Sequence, residues 1–471
     1  MLVKTVSQSL NEQLCARFAD RIRSRLLAPG ARLPSVRLCA EQQGVSVSTV
    51  VAAYDQLQAQ GLIIAQKNRG FFVRESASNR PFAHDISAYA APKIIANAPV
   101  DAAVLIRGMF YQASHKPQPG MGVFPADWLD NRFLPAAVRK VTSASALRDL
   151  SLHYGEPQGD SGLRRALSQR LGALNIPAGP EQIITTVGAT HALDIISRTL
   201  LRAGDCVMVE EPGWAVEFAR LDALGMRILP VPRRADGPDL EVMTQYCQLH
   251  APKLFVSVSV FHNPTGHCLA PSSAHRLLQL AGQHGFRIAE DDTYSHLAPD
   301  HATRLCALDG LQRTIYVSGF SKILAPGWRV GFMAAPPDLV EPLLSTKLLA
   351  TLTTPALLEK ALAWCIDQGQ LRRHAERIRS RLDQARARSV KLALAHGCTF
   401  AAEPAGLFGW VETGVDTDAL AQRMLDEDYL IAPGSLFHAV RKPGGLMRIN
   451  FATAQDAAFW KVFARLRDAV R

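Results

Sequence analysis

Between residues 183 and 322 the chain alternates short apolar runs with helical stretches, and each run ends in a polar turn. The runs are Ile183–Val187, Cys206–Glu210, Leu254–Val260, Phe286–Glu290 and Thr314–Ser318. Near-continuous apolar strands separated by helices are covered on both faces only in a mostly parallel sheet with helices on either side. The pattern therefore predicts an α/β fold for residues 100–471, with a smaller α+β part over about 345–471, where amphipathic helices mix with short strands. Ligands of such open sheets gather beyond the carboxyl ends of the strands, so the turns that follow the runs matter most.

Those turns carry polar chemistry in a fixed order. Gly188-Ala189-Thr190 leads into a helix, His191 to Leu201, whose free amides and Thr190 hydroxyl suit a phosphate. Glu211-Pro212-Gly213-Trp214 puts an aromatic ring after the next strand, and His262-Asn263-Pro264-Thr265-Gly266 forms the turn after the third. Asp291-Asp292-Thr293-Tyr294 follows the fourth, and Ser318-Gly319-Phe320-Ser321-Lys322 the fifth, with Arg329 seven residues beyond the lysine. Taken singly, each is an ordinary helix start, turn, core aromatic or solvated charge. As an ordered set they suit a pyridoxal 5′-phosphate site. Lys322 would form the Schiff base. Asp291 would keep the pyridinium nitrogen protonated, and Asn263 and Tyr294 would hydrogen-bond the ring phenolate. Trp214 would stack on the ring, while Ala189 N–H, Thr190 and Arg329 would hold the phosphate, with Ser321 as a further hydroxyl.

The amino-terminal region reads differently. Residues 8–28 have a helical apolar period, Leu10, Leu14, Phe18, Ile22 and Leu26, broken by Pro29-Gly30. Ser35 is placed to cap a short helix from Val36 to Gln43, Gly44-Val45-Ser46 makes a tight turn, and a second helix runs from Val47 to Gln60. Residues 62–73 then predict a β-hairpin with Lys67 and Arg69 at its tip. Helix, helix–turn–helix and β-wing together describe a winged helix-turn-helix over residues 1–75. Residues 76–99, rich in Ala, Pro, Ser and Asn without a sustained period, predict a linker.

Charge supports that division. The formal net charge is +10, and residues 1–75 hold ten Lys/Arg against five Asp/Glu. Residues 372–388 hold seven Arg against Glu376 and Asp383. An excess of this kind is an electrostatic footprint for a polyanion, nucleic acid first among them. The second cluster has Leu371, Ala375, Ile378, Leu382 and Ala385 on one helical face, which predicts a packed surface helix; a second DNA contact is the sharper alternative. No apolar run reaches the roughly 18 residues of a bilayer span, and the first residues lack the apolar block of a secretory signal. Eight scattered cysteines with no C-x-x-C pair argue against a disulfide or zinc framework, no metal is implied, and a cytoplasmic location is expected.

Both halves resemble known families. Leu33-Pro34-Ser35-Val36-Arg37, Gly44-Val45-Ser46, Ser48-Thr49-Val50 and Ala53-Tyr54 are similar to the signature of the GntR-type winged helix domain. Residues 110–471 resemble fold-type I aminotransferases of classes I and II, through Phe124-Pro125, Tyr154-Gly155, Asn263-Pro264-Thr265-Gly266, Ser321-Lys322, Pro326-Gly327-Trp328-Arg329 and Met447-Arg448-Ile449-Asn450-Phe451. The fusion in this order resembles the MocR-type subfamily of GntR transcriptional regulators. The resemblance implies that Arg448 grips the carboxylate of an amino-acid-like ligand and that Tyr154 reaches the cofactor phosphate of a partner subunit, hence a homodimer. It implies a cis Asn263–Pro264 peptide, and DNA contacts at Ser35, Arg37, Ser46, Ser48 and Thr49 with Lys67 and Arg69 on the wing. Three places depart from the pattern: Gly319 stands where many relatives carry Ser or Thr, Val47 where the family commonly has Arg, and the wing reads Asn68-Arg69-Gly70-Phe71 in place of the usual Gly-Ser-Gly-Thr.

The expected function is a DNA-binding transcriptional regulator that holds pyridoxal phosphate as an internal aldimine and senses an amino-acid or amine-like effector. The alternative is a working transaminase, with Lys322, Asp291 and Tyr294 as its catalytic groups and the DNA-binding head as an accessory. A head that keeps Arg37, Ser48, Thr49 and a basic wing favours regulation.

Overall fold

The computed structural model describes residues 9–23, 27, 30–66, 69–74, 116–129 and 132–471. The linker expected at 76–99 and the wing residue Lys67 lie outside the described residues. Contacts divide the chain into two compact units, residues 1–115 with 421–430, and residues 116–420 with 431–471.

In the first unit α1 (Leu10–Arg23), α2 (Val36–Gln43) and α3 (Val47–Ala59) precede a hairpin of β1 (Ile63–Gln66) and β2 (Gly70–Val73). Ser35 caps α2 by accepting from Leu38 N, and Gly44 ends it in the left-handed region at φ 65°. Ser46 caps α3 in the same way, accepting from Thr49 N. The hairpin is antiparallel, with Ile63 opposite Val73. Leu14, Phe18, Val50, Tyr54 and Leu57 fill the core, where the Tyr54 ring meets Phe18 and Phe71 edge-on and its hydroxyl donates to Pro34 O at 3.0 Å. The helix-turn-helix and wing expected from the sequence are therefore present. Two of the cations in this unit are already paired, since Arg17 lies 2.5 Å and Arg21 3.3 Å from the Asp428 carboxylate.

The second unit is built on an eight-stranded sheet. Its strands are β3 (Ile183–Thr186), β4 (Cys206–Glu211), β5 (Arg227–Arg234), β6 (Gly237–Pro238), β7 (Leu254–Ser257), β8 (Arg287–Asp291), β9 (Thr314–Gly319) and β10 (Gly331–Ala334). Their order is β3-β10-β9-β8-β7-β4-β5-β6. Neighbours from β9 to β5 are parallel, whereas β10 runs antiparallel to both β3 and β9, and β6 antiparallel to β5. Alternation along β4 shows both faces buried: Val207 and Val209 join Leu193, Ile196 and Val256 on one side, while Met208 joins Phe255, Leu277 and Ile288 on the other.

A second, four-stranded antiparallel sheet has the order β11-β12-β14-β13, from β11 (Thr399–Phe400), β12 (Phe408–Glu412), β13 (Ala432–Pro433) and β14 (Leu446–Asn450). The arginine-rich segment forms a helix, Gln370–Ala395, which buries Leu371, Ala375, Ile378, Leu382 and Ala385. Five of its arginines are engaged locally: Arg372 with Glu376, Arg373 with Gln368 O, Arg379 with Ala298 O, Arg381 with Asp127 and Arg386 with Asp383. The packed surface helix is thus the reading that these contacts favour. Among the described residues no helix is long and apolar enough to cross a membrane.

Candidate functional site

The polar turns meet at the carboxyl end of the large sheet. After β3 the chain passes Gly188, in the left-handed region at φ 82°, and enters a helix, Ala189–Leu200. The first amides of that helix have no partner within it, and Gly188 brings no side chain to cap them. The Arg329 guanidinium packs where a Cβ at Gly188 would stand, and the left-handed φ of Gly188 itself favours glycine there. Arg329 is itself left-handed, at φ 52°, and its Nη2 donates to Val187 O at 3.0 Å. An exposed guanidinium and free helix amides side by side form an anion cradle. Ser321 is half-buried nearby in sequence, while the Ser318 hydroxyl is turned to Asp292 O at 2.9 Å.

A narrow cavity of about 30 Å³, partly open to solvent, is lined by Trp214 and Asp291 together with Leu193, Val209, Val256 and His262. Asp291 Oδ1 accepts from Thr293 N at 3.0 Å and from the Thr293 hydroxyl, which leaves Oδ2 unengaged among the described residues. Burial raises this carboxyl to about 6. His262 is held neutral by burial, next to Glu210 at 3.4 Å. The Asn263–Pro264 peptide is cis, as the resemblance implies, and so is Glu211–Pro212.

Lys322 is half-buried, and its Nζ donates to Gly122 O at 2.8 Å. Burial first, then the nearby Arg448 cation, pulls the amine down to about 8 against the opposing pull of Asp291. Tyr294 meets the Phe408 ring edge-on at 5.6 Å, and burial pushes its hydroxyl well above the usual phenol range.

Arg448 comes from β14 of the small sheet and is 3% exposed. Its Nη1 donates to Asn263 Oδ1 at 2.9 Å and its Nη2 to Gly120 O at 2.6 Å. Phe408 and Phe437 lie against the guanidinium, at 4.4 and 5.1 Å from their ring centroids. Its Nε is buried without a hydrogen-bond partner. Among the described residues no carboxylate pairs with this cation, so a buried positive charge is left half-satisfied, which is costly unless an anion completes it.

Lys322, Asp291, Tyr294, Asn263, Trp214, Ala189, Thr190, Ser321, Arg329 and Arg448 thus belong to one unit. Trp214 and Asp291 line the cavity, Lys322 Nζ and Arg448 Nη2 both face Gly122, Arg448 holds Asn263, and Arg329 lies against Gly188 beside Ala189. Tyr154 does not join them: it is 82% exposed, with Leu147 and Leu152 exposed in the preceding helix. Phe408, Phe437 and the carbonyls of Gly120, Gly122 and Val187 complete the site without having been singled out from the sequence; the run of Gly120 and Gly122 was the only local signal. In the head, Arg37 and Arg69 are exposed. The hydroxyls of Ser46, Ser48 and Thr49 hydrogen-bond one another at 2.7–2.8 Å around the start of α3, and Ser35 serves as the α2 cap.

Residues 122–466 match the family Aminotransferase class I and II, and residues 10–73 match Bacterial regulatory proteins, gntR family. An uncharacterized HTH-type transcriptional regulator of Escherichia coli (strain K12), YdcR, is 29% identical over 457 residues, 94% of this chain and 94% of its own. The probable rhizopine catabolism regulatory protein MocR of Rhizobium meliloti is 29% identical, over 79% of this chain and 74% of its own. Among solved structures, kynurenine aminotransferase of Pyrococcus horikoshii, in complex with PMP, superposes with a TM-score of 0.69 at 26% identity, covering 76% of this chain and 91% of that one.

Proposed function

Because the chain belongs to the aminotransferase class I and II family, and carries a gntR-family helix-turn-helix domain ahead of it in the MocR-type arrangement, we propose that it is a ligand-responsive DNA-binding regulator. The family's cofactor is pyridoxal phosphate, and the chemistry of the residues present suits it: Trp214 and Asp291 on one cavity, the amine of Lys322 and the anion cradle at Arg329. On this reading residues 1–75 bind operator DNA, 76–99 link, and 100–471 sense the ligand, with the small part from about 345 closing on it.

The observation that carries the proposal is the buried, carboxylate-free guanidinium of Arg448 in the same cleft as a lysine pulled down to about 8. Bound there, pyridoxal phosphate supplies an aldehyde that takes up amines and a ring that accepts electrons. The chain does the rest. Roughly one Lys322 amine in ten is neutral at pH 7, against fewer than one in a thousand for an ordinary lysine, so it can hold the cofactor covalently. Asp291 Oδ2 keeps a proton on the ring nitrogen, Asn263 and Tyr294 hold the ring oxygen, and Trp214 covers one ring face. Ala189, Thr190, Ser321 and Arg329 hold the phosphate. Arg448 takes the ligand carboxylate through Nε and Nη2, which selects an amino acid or a close analogue over a plain amine.

Exposed Tyr154, Leu147 and Leu152 favour a homodimer in which the partner subunit's Tyr154 closes the phosphate cradle. Ligand occupancy then shifts the population of open and closed forms, and with it the placing of the heads on DNA in the cytoplasm. A second reading, transamination of an amino acid with an accessory head, is favoured by the joint presence of Lys322, Asp291 and Arg448. Absorbance of the purified chain tests the site: loading should give a cofactor band that shifts with an amino acid and is lost in Lys322→Ala. No band at all would overturn the proposal.

A further inference from the structure

The helix that would read DNA bears no positive charge. No Lys or Arg occurs anywhere in α3, and its inner face, Val50, Ala53, Tyr54 and Leu57, is buried. The opposite stripe, at positions 47, 48, 51, 52 and 55, is exposed along the whole helix. Three of its five side chains are apolar, with Val47 51% and Val51 42% exposed, and Leu38 of α2 is 46% exposed. A helix face with no partner in its own domain is ordinarily polar, so this one is unusual.

The exposed cations of this unit stand on other elements. Arg37 stands exposed in the first turn of α2, and Arg32 and Arg69 are exposed on the wing side. Arg32 lies along Gly70, and Arg69 lies over the Phe72 ring at 5.9 Å. An apolar helix face in a unit whose α2 and wing expose guanidinium groups is complementary to a major groove, whose phosphate walls are anionic and whose one apolar group is the thymine methyl.

We propose that α3 recognises thymine 5-methyl groups through Val47 and Val51, with the arginines on phosphates and Ser48 as the polar contact. This deepens the reading of the chain as a DNA-binding regulator and rests on it. One helical turn separates the two valines, about 5–6 Å between their Cβ atoms, and base pairs rise about 3.4 Å. The two methyls therefore lie one or two base steps apart, and the operator half-site carries at least two thymines within three base pairs. Guanine, which is read by bidentate Arg or Lys, has no reader on α3.

The test uses full-length protein and duplexes selected from a random pool. Each thymine of the selected site is then replaced by deoxyuridine, which removes the methyl alone. Two adjacent or nearly adjacent replacements should each weaken binding roughly three- to fivefold, the worth of one buried methyl. Val47→Ala and Val51→Ala, both at exposed positions, should each abolish the thymine–uracil difference at one position and leave the salt dependence unchanged. Selective binding that is indifferent to deoxyuridine, or discrimination that survives both variants, would overturn this inference alone. Absence of any sequence-selective binding would overturn the DNA-binding reading and the inference together.

Discussion

Arg448 donates to the side-chain oxygen of Asn263 at 2.9 Å, joining a strand of the small sheet to the turn that follows β7 of the large one. The bond links the residue proposed to grip a ligand carboxylate to the one proposed to touch the cofactor ring, so occupancy at one is felt at the other. Arg448→Lys keeps the charge but loses the planar fork and its contact with Phe408 and Phe437. Amino-acid binding, followed by the shift of the cofactor band, should weaken roughly ten- to hundredfold. The response to the matching decarboxylated amine should change little. Equal losses for both ligands would remove the carboxylate role.

The amine of Lys322, pulled down to about 8, sets the pH at which the protein captures its cofactor. Only the neutral amine attacks an aldehyde, so the capture rate of apoprotein should rise about tenfold per pH unit below 8 and level off above it. Stopped-flow absorbance between pH 6 and 10 checks this. A rise continuing to pH 10 would mean an ordinary lysine.

Gly319 has room for a side chain. A Cβ there would stand 3.5 Å from both Ala189 N and Val330 O, which is ordinary contact, and it would point a serine hydroxyl into the neighbourhood of the anion cradle. Gly319→Ser should fold normally and slow loss of pyridoxal phosphate on dialysis roughly fivefold, the worth of one added hydrogen bond. Faster loss would show that the missing hydroxyl is not a phosphate contact.

Asp291 trades stability for function. Its carboxyl is raised to about 6 by burial, so the folded apoprotein resists a charge that the unfolded chain takes up near pH 4. The destabilisation is absent below about pH 4, grows between pH 4 and 6, and is fully felt above pH 6. Apo Asp291→Asn should therefore be more stable than wild type at pH 7.5, by as much as about 3 kcal/mol, melt at a higher temperature, and converge with it below pH 4. The same variant should bind pyridoxal phosphate far more weakly. A lower melting temperature at pH 7.5 would contradict the assignment of burial as the cause.

The basic flank of the head should act on DNA through phosphates. Arg37→Ala and Arg69→Ala should each lower the slope of log affinity against log salt by about 0.9, with little effect on sequence preference. An unchanged slope would place these arginines off the DNA.

Much of this arrangement was legible in the sequence because its signals are local. Five apolar runs predicted five strands of the large sheet within a residue or two at most ends, the exception being Leu254–Val260, whose strand stops at Ser257 as the chain turns toward the Asn263 loop. The cap Ser35 and the tight turn Gly44-Val45-Ser46 marked the start of α2 and the break between α2 and α3 for the same reason, and the structure adds Ser46 as the cap of α3. Long-range pairing was not legible. The antiparallel insertion of β10 between β3 and β9 has no marker in a four-residue apolar run. The aromatic faces of Phe408 and Phe437 on Arg448, and the Gly122 carbonyl that receives Lys322, lie far along the chain from their partners, and only tertiary packing brings them together. The proposed hydroxyl contacts of the head were half legible: Ser46 and Thr49 sit where expected, but their oxygens already bond each other at the helix start.

The claim on which the rest depends is that the cleft around Lys322 governs DNA binding by the head. It is tested by measuring the affinity of full-length protein for one selected operator in three states: apo, loaded with pyridoxal phosphate, and loaded with a responsive amino acid. The account predicts at least a tenfold difference between two of these states, and its disappearance in Lys322→Ala; equal affinities in all three would contradict it.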